Sequence, residues 1–285
     1  MRRSLLFMPG NNPAMLQNAD VFESDSVIID LEDAVAVTEK DAARVLVGNF
    51  LKNFRLNLNE VVVRINGLDT EYYEKDLKEI VSDSIDTIML PKATVEYLKQ
   101  LDVLLTALEK ERGMKKHLKV LPIVELAVSL MEVDEMVRLP RVDGVLLGAE
   151  DFTRDMEVQR TAEGDEIFYA RAKIATACKA YKIDAIDTPF TATNDTEGLI
   201  RDCVRSKGLG MSAKACIHPN QVDTVNKQFA PSEKEIQFAE RVMAALEDAK
   251  KQGKGAFSLD GKMVDKPIIE RAETTLKKAK IFGMI

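Results

Sequence analysis

The chain has 285 residues, 46% of them hydrophobic and 31% charged, enough to bury one large core or two modest ones. A net charge of -7, with basic residues scattered among acids, excludes a general nucleic-acid binder, which needs clustered positive charge to displace counterions. The first apolar run, Leu5-Leu6-Phe7-Met8, is too short for a signal-peptide core or a membrane span, and Cys178, Cys203 and Cys216 show no paired metal-type spacing, so a cytoplasmic protein with reduced thiols is expected.

In chain order, short β-rich apolar runs alternate with longer amphipathic ones. Strands are predicted at Ser4 to Met8, Ser26 to Asp30, Val61 to Asn66, Thr87 to Pro91, Val120 to Glu125, Gly144 to Gly148, Ala185 to Thr188 and Ala213 to His218. Helices are predicted near Pro13 to Phe22, Thr38 to Lys52, Glu71 to Val81, Val95 to Arg112, Leu126 to Arg138, Asp165 to Tyr181, Thr196 to Lys207 and Asn220 to Phe229. Pro13 after Asn12 suits a first helical position, Thr38 before Asp41 a helix start, and Gly113 and Gly208 helix ends.

Eight strand-helix units predict an α/β fold, a (β/α)8 TIM barrel over residues 1–230. An open doubly wound sheet also holds this pattern, though eight regular units favour closure. Residues 231–285 form a C-terminal helical extension, expected to cover or cross a barrel mouth. It comprises a helix from Glu233 to Gln252, the stretch Phe257 to Asp265, and a last helix from Pro267.

In a barrel the residues after each strand face one rim, where chemistry is found. Here they are Asn11 and Asn12, Asp30 to Asp33, Arg64 and Asn66, Lys92, Glu125, Glu150 and Asp151, Asp187, and His218. Each alone can equally cap a helix; a full polar rim is more than a structural barrel requires. Glu125 and Asp151, arriving at neighbouring strand ends, would repel each other without a cation between them. They are the candidate ligands of a Mg2+-type ion, which takes oxygen donors and keeps open positions for substrate. Asp30, Glu32 and Asp33 are candidate outer-shell groups orienting metal-bound water, or an ordinary helix-start cluster. Arg64, charged within an apolar strand, needs a partner: either the Asp30 cluster or, the preferred reading, a substrate carboxylate held bidentately. Lys92 is a Schiff-base candidate, and His218 before Pro219 reads as a structural donor. Gly208-Leu209-Gly210 follows a helix and precedes a strand, the wrong order for a dinucleotide fingerprint.

Six ordered segments resemble one family over essentially the full chain. They are Arg3 to Gly10, Asp30 to Val35, Val63 to Asn66, Leu90 to Lys92, Leu147 to Asp151 and Gly261 to Asp265. They look like the signatures of citrate lyase beta subunits, within the HpcH/HpaI aldolase/citrate lyase superfamily. The resemblance implies a barrel, Mg2+, and cleavage of a citryl thioester to oxaloacetate and the acetyl thioester. It also implies a cytoplasmic complex with citrate lyase alpha and gamma (acyl carrier) subunits, and a homo-oligomer. By position it implies Glu125 and Asp151 as metal ligands and Arg64 as the oxaloacetate-binding arginine. Gly148, Ala149, Glu150 and Asp151 match a stretch holding a substrate carboxylate, and Asp265 a catalytic acid that enters from a neighbouring subunit in related acyl-CoA lyases. Ala213 before Lys214, Leu126 and His218 depart from common family residues. Malyl-CoA or citramalyl-CoA cleavage on the same metal site, a Schiff-base aldolase using Lys92, and a non-catalytic scaffold are the competing readings.

Overall fold

The computed structural model describes residues 1–57, 60–251 and 257–285, so Gln252, the expected end of one helix, lies outside the described residues. Eight strands, β1 Ser4–Pro9, β2 Ser26–Asp30, β3 Val61–Arg64, β4 Thr87–Leu90, β5 Lys119–Val124, β6 Gly144–Leu147, β7 Asp184–Asp187 and β8 Ala213–Cys216, pair in parallel and in sequence order, and β8 closes on β1. Between them run α1 Pro13–Gln17, α2 Lys40–Asn53, α3 Tyr73–Ile80, α4 Val95–Glu111, α5 Ala127–Met136, α6 Ala149–Asp155, α7 Phe168–Tyr181 and α8 Thr196–Gly208; α9 Val222–Phe229 follows β8. This is the expected (β/α)8 barrel. No helix among the described residues is long and apolar enough to cross a membrane.

Inward side chains fill the barrel: Leu5, Ile28, Val62, Met89, Leu121, Ile123, Leu146, Ile186, Ala213 and Ala215 form one buried cluster, with Phe7 packed against it. Burial of each large member removes roughly 1.5–3 kcal/mol of unfavourable hydration. The helices bury one stripe, as at Val95, Leu98, Leu101 and Leu105 of α4, whose three- and four-residue spacing is that of a helix face. Asn12 caps α1 by accepting from Met15 N–H, as Pro13 at the next position suggests. Thr38 caps nothing: it lies in a 3-10 turn, Val37–Glu39, ahead of α2.

The N-terminal ends of the strands meet at Arg2, whose buried guanidinium donates to Glu60 through Nε and Nη2, both at 2.6 Å. It also reaches Asp143 at 2.8 Å and Asp184 at 3.0 Å. Glu60 accepts in addition from Ser26 and Thr87 hydroxyls, so one carboxylate ties the starts of β2, β3 and β4 together.

The chain divides into two compact units, Met1–Asn226 and Lys227–Ile285, the division falling within α9 rather than at residue 230. In the second unit, α10 Glu233–Lys251, the hairpin β9 Phe257–Leu259 with β10 Lys262–Val264, and α11 Lys266–Ile281 share a core of Ala239, Val242, Val264 and Ala272. Asp260 and Gly261 both have positive φ, 50° and 75°, as a tight two-residue hairpin turn demands.

Candidate active site

The site is built where β5 and β6 end. Val124 pairs with Leu147, which sets Glu125 level with Gly148 on the adjoining strand. Gly148 then begins α6, a helix that the sequence pattern did not announce. A β-carbon at Gly148 would lie 2.7 Å from Glu125 Oε2 and 2.8 Å from its Cβ, so the glycine cradles the carboxylate. Glu125 is buried, and its Oε1 accepts the Lys92 N–H at 2.5 Å. Lys92 has a φ of 46°, a left-handed conformation uncommon for a side-chain-bearing residue. In the first turn of α6, Asp151 is partly exposed and ion-paired with Arg154 at 3.0 Å.

Across the mouth, Asp30 and Arg64 are register partners on β2 and β3, which sets carboxylate beside guanidinium. Arg64 Nε and Nη2 grip the two Asp30 oxygens at 2.7 and 2.6 Å. Its Nη1 faces Glu32 Oε2 at 2.9 Å, and the guanidinium stacks over Phe7. The bidentate edge expected for a substrate carboxylate is therefore taken by Asp30, because a buried guanidinium needs a permanent counter-charge. Asp30 also accepts the Glu32 and Ala34 N–H groups. With both oxygens so engaged it orients Arg64 and its own loop, rather than the metal-bound water expected of it. Burial alone would lower the Arg64 pKa, but Asp30, Glu32 and Asp33 outweigh it and raise it, so the group stays cationic.

The carboxylates facing one another carry unbalanced charge. Glu125 is pushed up to about 7, chiefly by burial, with the charges of Asp151 and Asp33 adding and the Lys92 N–H and Arg64 opposing. Glu32 is pushed up to about 8 by burial first, then by Asp33, Glu125 and Asp30 against Arg64. Glu32 Oε2 is buried and meets the Arg64 guanidinium as an ion pair, outside hydrogen-bond geometry. Oxygen donors left in this state fit a hard divalent cation. Among the described residues no three acidic, histidine or cysteine side chains converge tightly enough to hold an ion by themselves. The charge of Asp151 acts on Glu125, so these two carboxylates could together offer oxygen donors to one ion.

Other expected residues are placed differently. The Glu150 side chain is exposed and turned to Arg160 at 3.3 Å, so only its backbone belongs to the site. The Ala149 N–H is already bonded to Thr188 Oγ1 at 3.2 Å, which leaves the Glu150 and Asp151 amides as the open donors of the first turn of α6. Asp187 is fully buried against Arg171 and Lys214 and does not reach the rim. Asn66 is likewise structural, donating to Leu31 O and Asp76. His218 is an acceptor rather than a donor: its Nδ1 takes the Asn220 N–H at 3.2 Å, the amide that starts a 3-10 turn. Asp265, in the second unit, is exposed and caps α11 by accepting from Ile268 N–H. Sequence reasoning passed over Lys40, whose buried Nζ donates to Leu31 O and Glu32 O and so fixes the acidic loop. It also passed over Thr188, Arg171 and the anchoring role of Lys214.

Residues 3–219 match the HpcH/HpaI aldolase/citrate lyase family. The chain belongs to that family. Among relatives, it is 43% identical over 284 residues to the citrate lyase subunit beta of Leuconostoc mesenteroides subsp. cremoris, covering 98% of this chain and 93% of that one. It is 34% identical to the L-malyl-CoA/beta-methylmalyl-CoA lyase of Cereibacter sphaeroides, covering 99% and 95%. Among solved structures, protein CitE from Mycobacterium tuberculosis in complex with magnesium, acetoacetate and coenzyme A superposes with a TM-score of 0.80 at 31% identity, over 97% of each chain.

Proposed function

We propose that the protein is a Mg2+-dependent carbon-carbon lyase that cleaves a citryl thioester to oxaloacetate and the acetyl thioester, as the beta subunit of a citrate lyase. The observation that carries this reading is buried Glu125, just beyond β5, with the charge of Asp151 acting on it from the start of α6, and a guanidinium clamped by Asp30 across the mouth. Mg2+ seated on Glu125 and Asp151 would supply the Lewis acid that lowers the pKa of the tertiary hydroxyl and fixes the hydroxyacid. Arg64, kept cationic and immobile by Asp30, neutralises a substrate carboxylate through the edge that faces Glu32. The Glu150 and Asp151 amides hold a second carboxylate at the start of α6. Asp265, reaching the site from a second copy of the chain, exchanges the proton at the acetyl carbon or the hydroxyl. Citrate lyase alpha and gamma (acyl carrier) subunits in the cytoplasm would supply the thioester and accept the product. The likeness to a malyl-CoA lyase supports a second reading, in which malyl-CoA or citramalyl-CoA is cleaved on the same residues.

A malate dehydrogenase-coupled assay with citryl-CoA, with and without Mg2+, tests the proposal. Oxaloacetate release should require Mg2+ and disappear in Glu125→Ala and Asp151→Ala. Undiminished activity in those variants, or in the parent after EDTA treatment, refutes it. Faster turnover of malyl-CoA or citramalyl-CoA selects the second reading, and borohydride trapping on Lys92 would select a Schiff-base aldolase.

A further inference from the structure

Asp151 sits on α6, a seven-residue helix too short to keep its orientation by its own hydrogen bonds. Both of its ends are tied to neighbouring loops. At the N-terminus, the Ala149 N–H donates to Thr188 Oγ1 at 3.2 Å, and both residues are buried. At the C-terminus, Asp155 accepts the Ala127 N–H at 2.7 Å, two residues beyond Glu125. Thr188 is itself held from behind. Its carbonyl accepts from Lys214 Nζ at 2.7 Å, and that ammonium, fully buried, also bonds Asp187 and Asp202 at 2.6 Å each. Arg171 bridges the same two aspartates, at 2.8 and 2.7 Å, so the anchor is a closed set of two cations and two carboxylates.

We propose that Thr188 is a positioning residue for the candidate metal seat: its hydroxyl fixes the start of α6, and thereby the approach of Asp151 to Glu125, against the Lys214-Arg171-Asp187-Asp202 anchor. This role of Thr188 rests on the metal reading above and is distinct from it, because the Thr188 hydroxyl bonds the Ala149 N–H rather than either carboxylate. Phe152 and Thr153 bury the inner face of α6, and the Thr188 bond fixes the position of its first amide. Thr188→Val keeps volume and the Lys214-bound carbonyl, and removes only the acceptor. Thr188→Ser restores it.

The test is Mn2+ binding, followed by electron paramagnetic resonance of the free and bound ion, on the parent, Glu125→Gln, Thr188→Val and Thr188→Ser, with thermal melting of each. The expected result is a Kd raised roughly 10-fold or more in Thr188→Val, with an altered bound spectrum, and recovery in Thr188→Ser, the range known for residues that orient metal ligands. Thr188→Val with the parent Kd and spectrum overturns the proposal, as does an equal loss in Thr188→Ser. If Glu125→Gln also leaves Mn2+ binding untouched, the metal reading falls instead. Should Thr188→Val melt too low for binding at room temperature, the spectra of Asp155→Ala, which releases the other end of α6, decide in the same way.

Discussion

Replacing Gly148 by alanine adds one methyl group at the point where β6 comes closest to β5. The added carbon would lie 2.7 Å from Glu125 Oε2, 2.8 Å from Glu125 Cβ and 2.9 Å from Ile123 Cγ2. Only the first of these atoms ends a flexible chain; the other two are fixed by the strand, so the carboxylate must turn away or the strands must part. Overpacking of this kind costs about 1–3 kcal/mol. Turning Glu125 away also breaks its 2.5 Å bond with the Lys92 N–H, a charge-assisted bond that contributes roughly 1.5–3 kcal/mol. The φ of Gly148 is -91°, so backbone strain adds nothing and the effect is purely one of space. Gly148→Ala should therefore melt roughly 2–4 °C lower for each kcal/mol lost. It should also bind Mg2+ at least ~10-fold more weakly, since a tenfold change corresponds to about 1.4 kcal/mol. Calorimetric melting and Mg2+ titration measure both. An alanine variant with the parent melting temperature and the parent affinity would show that Glu125 is not held as described.

Three further outcomes follow from the same geometry. Glu125 and Glu32, pushed up to about 7 and about 8, favour the metal-free fold when protonated; their contribution is full below about 4.5 and is lost as pH rises through 7 and 8. The metal-free parent should thus lose up to about 3 kcal/mol relative to Glu125→Gln between pH 5 and 8 in urea titrations, while Mg2+ affinity rises over that interval. Arg2→Met strands the buried Glu60 carboxylate and should cost about 3–5 kcal/mol in urea unfolding with activity per folded molecule unchanged, because Arg2 lies at the opposite ends of the strands from Glu125. The thiols of Cys178, Cys203 and Cys216, buried and each pushed up to about 12 by that burial, should not react with Ellman's reagent in the native protein, and all three should react in urea.

All eight strands are legible because each is a run of four to six residues in which nearly every side chain is buried, as at Val61–Arg64 and Gly144–Leu147. Six of the eight expected ends overrun by one or two residues, as at Pro91, Glu125 and Gly148, where the backbone has already left the ladder; β2 ends as expected and β1 runs one residue further, to Pro9. Helix α6 escaped notice because seven residues give less than two periods of any pattern. The glycine followed by two acids at its start was nevertheless a readable helix beginning. Lys214 carried the same signal as Arg64, a cation within a strand of small apolar residues, and belonged to a buried ion cluster for the same reason. Arg171 and Thr188 gave no such signal: an arginine on a helix is usually solvated, and the partners of Thr188 lie 26 and 39 positions away. The need of Arg64 for a counter-charge is legible in its apolar strand, but only the β2–β3 register shows that Asp30 stands level with it.

The Arg2 guanidinium joins groups 58, 141 and 182 positions along the chain, and these come together only when the ring of strands has closed. Bonds of such separation form late, after most of the ordering entropy has been surrendered. Their removal should therefore leave the speed of refolding nearly unchanged and hasten the escape from the native state. Arg2 is in this sense a latch on the lifetime of the barrel, set after the walls have been raised.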